Sequence, residues 1–186
     1  MNRMEAVRLI VEHLHSDDWL IHANGAISRE SYFCNDRFKN FYMLGSMGLA
    51  PSIAMGLALH HPEQRILILD GDGNVLMGLG NLALIGALHP AHLIHIVFDN
   101  GVYGTTGGQP TLSGQVQIWE IAQGCGYRIC RRVDGMAVVP AFQEMIETPG
   151  PHFLQIVVSE DVPFAPPRIP FAAHQIKERF MEGIRF

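Results

Sequence analysis

Asp72 stands between Gly71 and Gly73, directly after an apolar run and directly before a helical pattern. The glycines permit a tight turn and let a ligand approach the backbone. A helix N-terminus behind them offers unpaired N–H groups and partial positive charge, which suit a phosphate. Asp72 itself would repel a bare phosphate. A carboxylate beside a phosphate site makes sense when a divalent cation sits between them, and magnesium takes oxygen ligands that commonly include phosphate. A plain strand-to-helix turn with Asp72 as the helix cap is the competing use, since Asp is a preferred N-cap.

A second oxygen source tips the balance. Asn100 follows the next apolar run, 28 residues after Asp72. One βαβ crossover needs about 30 residues, so the two run ends can be neighbours. The segment after Asn100 is rich in Gly and Thr: Gly101, Gly104, Thr105, Thr106, Gly107 and Gly108. It can add a backbone carbonyl and phosphate contacts.

The elements that must position these residues follow from hydrophobic patterning. Apolar runs Trp19–Ala23, Arg65–Leu69, Leu93–Phe98 and Phe153–Val158 read as parallel strands, with Arg128–Arg131 as a possible fifth. Helical patterns cover Asn2–His15, Gly48–His60, Gly78–Leu88, Val116–Gly124, Ala137–Glu147 and Ala172–Glu182. Strands alternating with helices imply an α/β fold: one doubly wound parallel sheet with helices on both faces, in a single domain over residues 1–186. Pro163–Pro170 reads as a proline-rich extended connection. Ligands in such sheets bind beyond the carboxyl ends of strands, at a switch point. Three of these ends carry polar and small residues: Asn24-Gly25-Ala26-Ile27-Ser28, Asp70-Gly71-Asp72-Gly73-Asn74 and Asp99-Asn100-Gly101-Val102-Tyr103-Gly104.

Composition narrows the classes. Hydrophobic residues make up 48% and charged residues 17% of the 186, with a formal charge of −5. That is an ordered, heavily buried chain, and no basic stripe points to nucleic acid. Cys34, Cys125 and Cys130 are too few and too irregular for a disulfide framework or a metal cluster. They fit free thiols in a reducing, cytoplasmic compartment. Two stretches without charged residues, Asn40–Pro62 and Asn74–Phe98, approach the roughly 20 residues of a membrane span, but polar and Pro residues interrupt both. Gly78-Leu79-Gly80-Asn81-Leu82-Ala83 matches a dinucleotide fingerprint, yet Gly71–Met77 separates it from the strand it should end.

Gly71-Asp72-Gly73, the long spacer and Asp99-Asn100 resemble the signature of thiamine diphosphate enzymes, with Asp99 in place of the first of the two usual Asn. The resemblance implies thiamine diphosphate and Mg2+ as cofactors. Asp72, Asn100 and the Val102 carbonyl would hold the metal. Gly45-Ser46-Met47-Gly48 resembles the segment under the aminopyrimidine ring, with Met47 as the wedge that bends the cofactor and the Gly45 carbonyl as acceptor for the 4′-amino group. Core packing is the commoner use of an isolated Met. Asn24, Gly25, Ala26, Ser28, Ser46, Gly71, Gly73, Asn74, Tyr103, Gly104 and Thr105 complete the expected cofactor contacts.

The strings Ala26–Glu30 and Gly101–Thr111 are similar to sulfopyruvate decarboxylase β subunits and to the matching domain of phosphonopyruvate decarboxylases. This implies a carboxy-lyase acting on a small 2-oxo acid, with sulfopyruvate placed ahead of phosphonopyruvate. It also implies a separate pyrimidine-binding α subunit supplying the catalytic glutamate, in a heterodimer or larger heteromer. A ferredoxin-linked oxidoreductase subunit and a cofactor-binding subunit without turnover are the alternatives. Arg29 suits a sulfonate or phosphonate by its chemistry, although pairing with Glu30 or with a partner chain is the commoner role. His22, near the end of the first strand, is the histidine to test first.

Overall fold

The computed structural model describes residues 1–159 and 164–185. Eight strands and eight α-helices alternate along them. In chain order they are α1 (Arg3–Glu12), β1 (Trp19–His22), α2 (Ala26–Asn35), β2 (Asn40–Tyr42), α3 (Ala50–His60), β3 (Ile66–Gly71), α4 (Asp72–Met77), α5 (Gly80–Leu88), β4 (Leu93–Asp99), β5 (Val102–Tyr103), β6 (Gln109–Pro110), α6 (Ile118–Cys125), β7 (Ile129–Val133), α7 (Val138–Ile146), β8 (His152–Val157) and α8 (Ala173–Gly183). The expected parallel α/β sheet is present, with six strands in the order β2-β1-β3-β4-β8-β7. β5 and β6 form a separate antiparallel pair.

Strand residues point alternately to the two faces, and both faces are buried. Trp19, Ile21, Ile66, Ile68, Val97 and Phe153 pack with α3, α5, α6 and α8. Leu20, Leu67, Leu69, Ile94, Ile96 and Leu154 pack with α1, α2 and α7. Burial on both faces is why these strands read as near-continuous apolar runs, interrupted only by His22, His95 and Gln155 within the stretches Trp19–Ala23, Leu93–Phe98 and Phe153–Val158. It also accounts for the charge-poor stretches, and no helix among the described residues is long and apolar enough to cross a membrane.

Three elements depart from the sequence expectation. β2 is three residues long and carries no apolar run, so nothing in its pattern marks it. α2 turns Ser28, Glu30 and Ser31 inward alongside Ile27, so its buried side is largely polar and escapes a hydrophobic periodicity. α4 fills Asp72–Met77, directly ahead of the glycine fingerprint, and α5 begins only at Gly80. From the proline-rich connection, Pro163 lies outside the described residues and 164–170 has no regular structure.

The order creates a switch point. The chain leaves β1 toward β2 on one side, then passes from β3 to β4 on the other. Between the ends of β1 and β3 the connecting helices diverge to opposite faces, leaving a crevice. Ladder register sets its rim: His22 pairs with Leu69, Gly71 with Phe98, and Asp99 with Val157. The residues just past these pairs are those singled out from the sequence.

His22 does not reach that rim. Its ring is fully buried, with Nδ1 3.1 Å from the Phe41 carbonyl and Nε2 2.7 Å from the Ser31 hydroxyl. A carbonyl can only accept, so Nδ1–H donates to Phe41 and Nε2 accepts from Ser31. Desolvation pushes the imidazole pKa down from 6.5 to about 3, with Arg37 adding to the fall and the Phe41 bond opposing it. A folded-state pKa below the unfolded value means that the unfolded chain binds the proton first. The stability due to neutral His22 is therefore lost as pH falls from about 6.5 toward 3. His22→Gln is expected to lower stability at pH 7 but to flatten its fall in acid, moving the acid-unfolding midpoint down by roughly half to one pH unit in urea melts. An unchanged acid limb would show that other groups control it.

Candidate functional site

One pocket at the switch point gathers three strand ends. It is lined by Asn24, Gly25, Ala26 and Ile27 after β1, by Gly71, Asp72, Gly73 and Asn74 after β3, and by Asn100, Val102, Tyr103, Gly104 and Thr105 after β4. Met47 closes it from the loop before α3, and Arg3 from the start of α1. Thirteen of the sixteen residues expected from the sequence to contact a cofactor thus share one wall. The other three face elsewhere. Ser28 donates its hydroxyl to the Ala23 carbonyl at 2.5 Å and lines a neighbouring cavity with Arg29. Gly45 and Ser46 line an apolar groove with Phe41, Ile53 and Ile176.

Asp72 is 3% exposed and opens α4 directly. The helix cap is Gly71, without a side-chain hydrogen bond, so capping is not what Asp72 does. Its carboxylate instead accepts a hydrogen bond from the Thr111 hydroxyl. A chain of short bonds runs on from there. Thr111 Oγ1 lies 3.0 Å from the Ser113 hydroxyl, which donates to Asp99 at 2.7 Å. Gln155 from β8 donates to the other Asp99 oxygen at 2.6 Å, and the Gly101 N–H donates at 3.1 Å. Both Asp99 oxygens are therefore bonded inside the protein. Asn100 accepts from the Val102 N–H at 3.3 Å, which leaves a lone pair on its amide oxygen.

Thr111 and Ser113 are the residues that inspection of the sequence missed. Thr111 closes the Gly- and Thr-rich string, and the β5–β6 hairpin brings it back: its N–H donates to the Gly101 carbonyl at 2.8 Å. Tyr103 packs its ring on Gly73, where an added Cβ would lie 2.4 Å from the ring, so any larger residue would displace the ring. Arg3 was also missed. Its guanidinium forms a fork with Glu30 at 2.8 and 2.9 Å, and Glu30 is 1% exposed. Glu30 thus pairs with Arg3 and not with Arg29.

The loop bearing Met47 is clamped from below. The Gly48 N–H donates to Asn74 Oδ1 at 3.2 Å, and the Gly48 carbonyl accepts from Asn81 at 2.9 Å. A Cβ on Gly78 would sit 2.2 Å from that carbonyl. Asn74 therefore ties the Met47 loop to the helix that starts with Asp72.

The donor set can be tested against a metal and an anion. Among the described residues no group of three His, Cys, Asp or Glu could hold a metal. A cation here would take one carboxylate with amide and backbone oxygens, a set that suits magnesium with phosphate completing the shell. The Asn24 amide oxygen is buried with no hydrogen-bond partner among the described residues. That polar capacity faces the pocket, and rotation of the amide would turn its NH2 toward an anionic oxygen. α2, ten residues long, presents its N-terminus to the same space. The residues fit a metal–phosphate group.

Burial pushes the Asp72 carboxyl above its ordinary pKa and Asp99 adds to the rise, while the bonds from Thr111 and Ser113 oppose it. For a carboxylate raised in the folded state, ionisation destabilises the fold, so stability falls as pH rises past the ordinary carboxylate range. Asp72→Asn is expected to raise the metal-free melting temperature by about 2–4 °C at pH 7. The gain should fade once pH drops below that range. The same variant should lose magnesium-dependent stabilisation by thiamine diphosphate. Calorimetry with and without the metal measures both, and an unaltered response would remove Asp72 from the metal site.

Comparison with known proteins identifies the family. Residues 25–156 match the family described as thiamine pyrophosphate enzyme, C-terminal TPP binding domain. The chain is 38% identical over 188 residues to the sulfopyruvate decarboxylase subunit beta of Methanothermobacter thermautotrophicus, covering 100% of this chain and 96% of that one. It is 40% identical over 159 residues to the phosphonopyruvate decarboxylase of Streptomyces viridochromogenes, covering 84% of this chain but only 39% of that protein's length. Among solved structures, benzoylformate decarboxylase from Polynucleobacter necessarius superposes with a TM-score of 0.70 at 14% identity, over 87% of this chain and 34% of that one, a likeness of fold. The chain belongs to the thiamine diphosphate enzymes, as a C-terminal-type, cofactor-binding domain of that family.

Proposed function

We propose that this chain is the diphosphate- and magnesium-binding subunit of a thiamine diphosphate-dependent 2-oxo acid decarboxylase. The observation that carries the reading is the convergence of Asp72, Asn100, Val102 and the start of α2 on one pocket at the switch point. In this reading residues 1–186 act as one unit, in the cytoplasm. Its substrate is 3-sulfopyruvate, giving sulfoacetaldehyde and CO2. The match to a β subunit along nearly its whole length favours sulfopyruvate over phosphonopyruvate.

Thiamine diphosphate, when bound, supplies the carbanion chemistry that lets a 2-oxo acid lose CO2. The chain's own residues bind and orient. Asp72, Asn100 and the Val102 carbonyl hold Mg2+. Gly25, Ala26 and Asn24 hold diphosphate oxygens, and Tyr103, Gly104 and Thr105 cover them. Met47 would wedge against the bound cofactor, and the Asn74–Gly48 bond would hold its loop in place. A pyrimidine-binding α subunit would supply the glutamate that faces the aminopyrimidine. The exposed loop Leu44–Ser46 and the apolar groove beside it supply part of the contact with that subunit.

Two measurements test this. Met47→Ala in the complex should keep cofactor affinity within about threefold while slowing proton–deuterium exchange at C2 by roughly tenfold or more. Unchanged exchange in a folded variant would return Met47 to a packing role. CO2 release from sulfopyruvate and phosphonopyruvate should appear only when the chain is mixed with an α subunit, and should saturate at an equal subunit ratio. Full turnover by the chain alone would refute the split site.

A further inference from the structure

The cofactor pocket adjoins a second, larger cavity of about 480 Å³, with Asn24, Gly25 and Thr105 common to both walls. Arg29 enters it from the first turn of α2, and Arg168 from the irregular segment ahead of α8. Met43, Leu44 and Ile169 make its apolar side. No carboxylate lines it among the described residues.

The two guanidiniums are uncommitted. Neither Arg29 nor Arg168 has an ion-pair or hydrogen-bond partner among the described residues. Glu30, the neighbouring carboxylate in the chain, is held by both of its oxygens on Arg3. Arg29 is half-buried, so its charge is less screened than on an open surface. Arg168 is exposed, and the two arginines line the same cavity, where guanidinium donors suit a tetrahedral oxyanion.

A 3-sulfo- or 3-phosphono-2-oxo acid carries two anionic ends, and chemistry decides which belongs here. The carboxylate loses its charge as CO2 departs, so a cation held against it would stabilise the ground state more than the transition state. The sulfonate or phosphonate keeps its charge throughout, and binding it can position the reacting end without opposing the reaction. We propose that Arg29 and Arg168 form the subsite for the sulfonate or phosphonate of the substrate, and so set the enzyme's preference for dianionic 2-oxo acids. This rests on the decarboxylase reading above.

The test uses the complex with its α subunit and the variants Arg29→Met, Arg168→Met and the double variant, with Arg→Lys at each position as the conservative control. Each single Met variant should raise KM for 3-sulfopyruvate or 3-phosphonopyruvate roughly ten- to hundredfold, the loss of a charge-assisted hydrogen bond. The ratio of kcat/KM for the dianionic substrate over pyruvate should fall with it, and Lys should restore part of the loss. Whichever dianion suffers the larger fall identifies the group the subsite is built for. A second measurement needs no turnover: sulfoacetate and phosphonoacetate, which have no 2-oxo group, should bind wild type in calorimetric titration and fail to bind the double variant.

KM unchanged in the variants, with sulfopyruvate turned over by wild type, overturns the subsite and leaves the decarboxylase reading intact. Wild type that decarboxylates neither substrate yet binds sulfoacetate through the arginines overturns the decarboxylase reading and keeps the anion subsite. A parallel loss of thiamine diphosphate affinity would assign the arginines to the cofactor, and dissociation of the complex would assign them to the subunit contact. Either outcome overturns the proposal.

Discussion

Three carboxylates are buried along the carboxyl ends of two adjacent central strands, and satisfying them governs the architecture around the pocket. Asp70, Asp72 and Asp99 are 0%, 3% and 6% exposed. A buried charge is costly unless it is paired or hydrogen-bonded. Each receives a different solution. Asp70 accepts from the Gly71 N–H at 2.9 Å and lies 3.2 Å from His95 of β4, whose other nitrogen is 3.4 Å from the Tyr127 hydroxyl. Asp99 takes a hydroxyl, an amide and a backbone N–H. Asp72 has the Thr111 hydroxyl, which favours its charged form, but burial first and Asp99 second push its pKa up. Of the three it is the one that lines the pocket.

These solutions require contacts that are remote in the chain. Gln155 reaches Asp99 because β8 inserts between β4 and β7. Thr111 reaches Asp72 because the β5–β6 hairpin folds back across the strand ends. The pocket is thus held by bonds that the strand order and the hairpin make possible. Its other side depends on close backbone approach, with Gly48 and Gly78 in contact and Asn74 bridging them. Movement of the Met47 loop is therefore coupled to α4, and hence to Asp72.

The arginines divide in the same way. Arg3 is locked to buried Glu30 and forms a fixed part of the pocket wall. Arg29, one residue before that glutamate, lines a different cavity and has no hydrogen-bond or ion-pair partner among the described residues. Neighbours in sequence face different spaces because successive residues on a helix are about 100° apart.

Much of this could be read from the chain alone, because it is local. Near-continuous apolar runs such as Ile66–Leu69 and Leu93–Phe98 announce strands buried on both faces. The glycines flanking Asp72, and Asn100 one crossover later, announce where a metal and phosphate would sit, since strand ends next to helix starts are set by a few consecutive residues. β2 and α2 were not legible: one is too short to show a pattern, and the other buries serine and glutamate where periodicity looks for apolar residues. Tertiary structure alone decided that Thr111 bonds Asp72, that Glu30 belongs to Arg3, that His22 is a buried structural ring and that Arg29 shares a cavity with Arg168. Those pairings join residues as far as 139 positions apart, as with Arg29 and Arg168. The local pattern fixes which element a residue occupies, but a side chain's partner depends on which elements the sheet order and helix packing bring beside it.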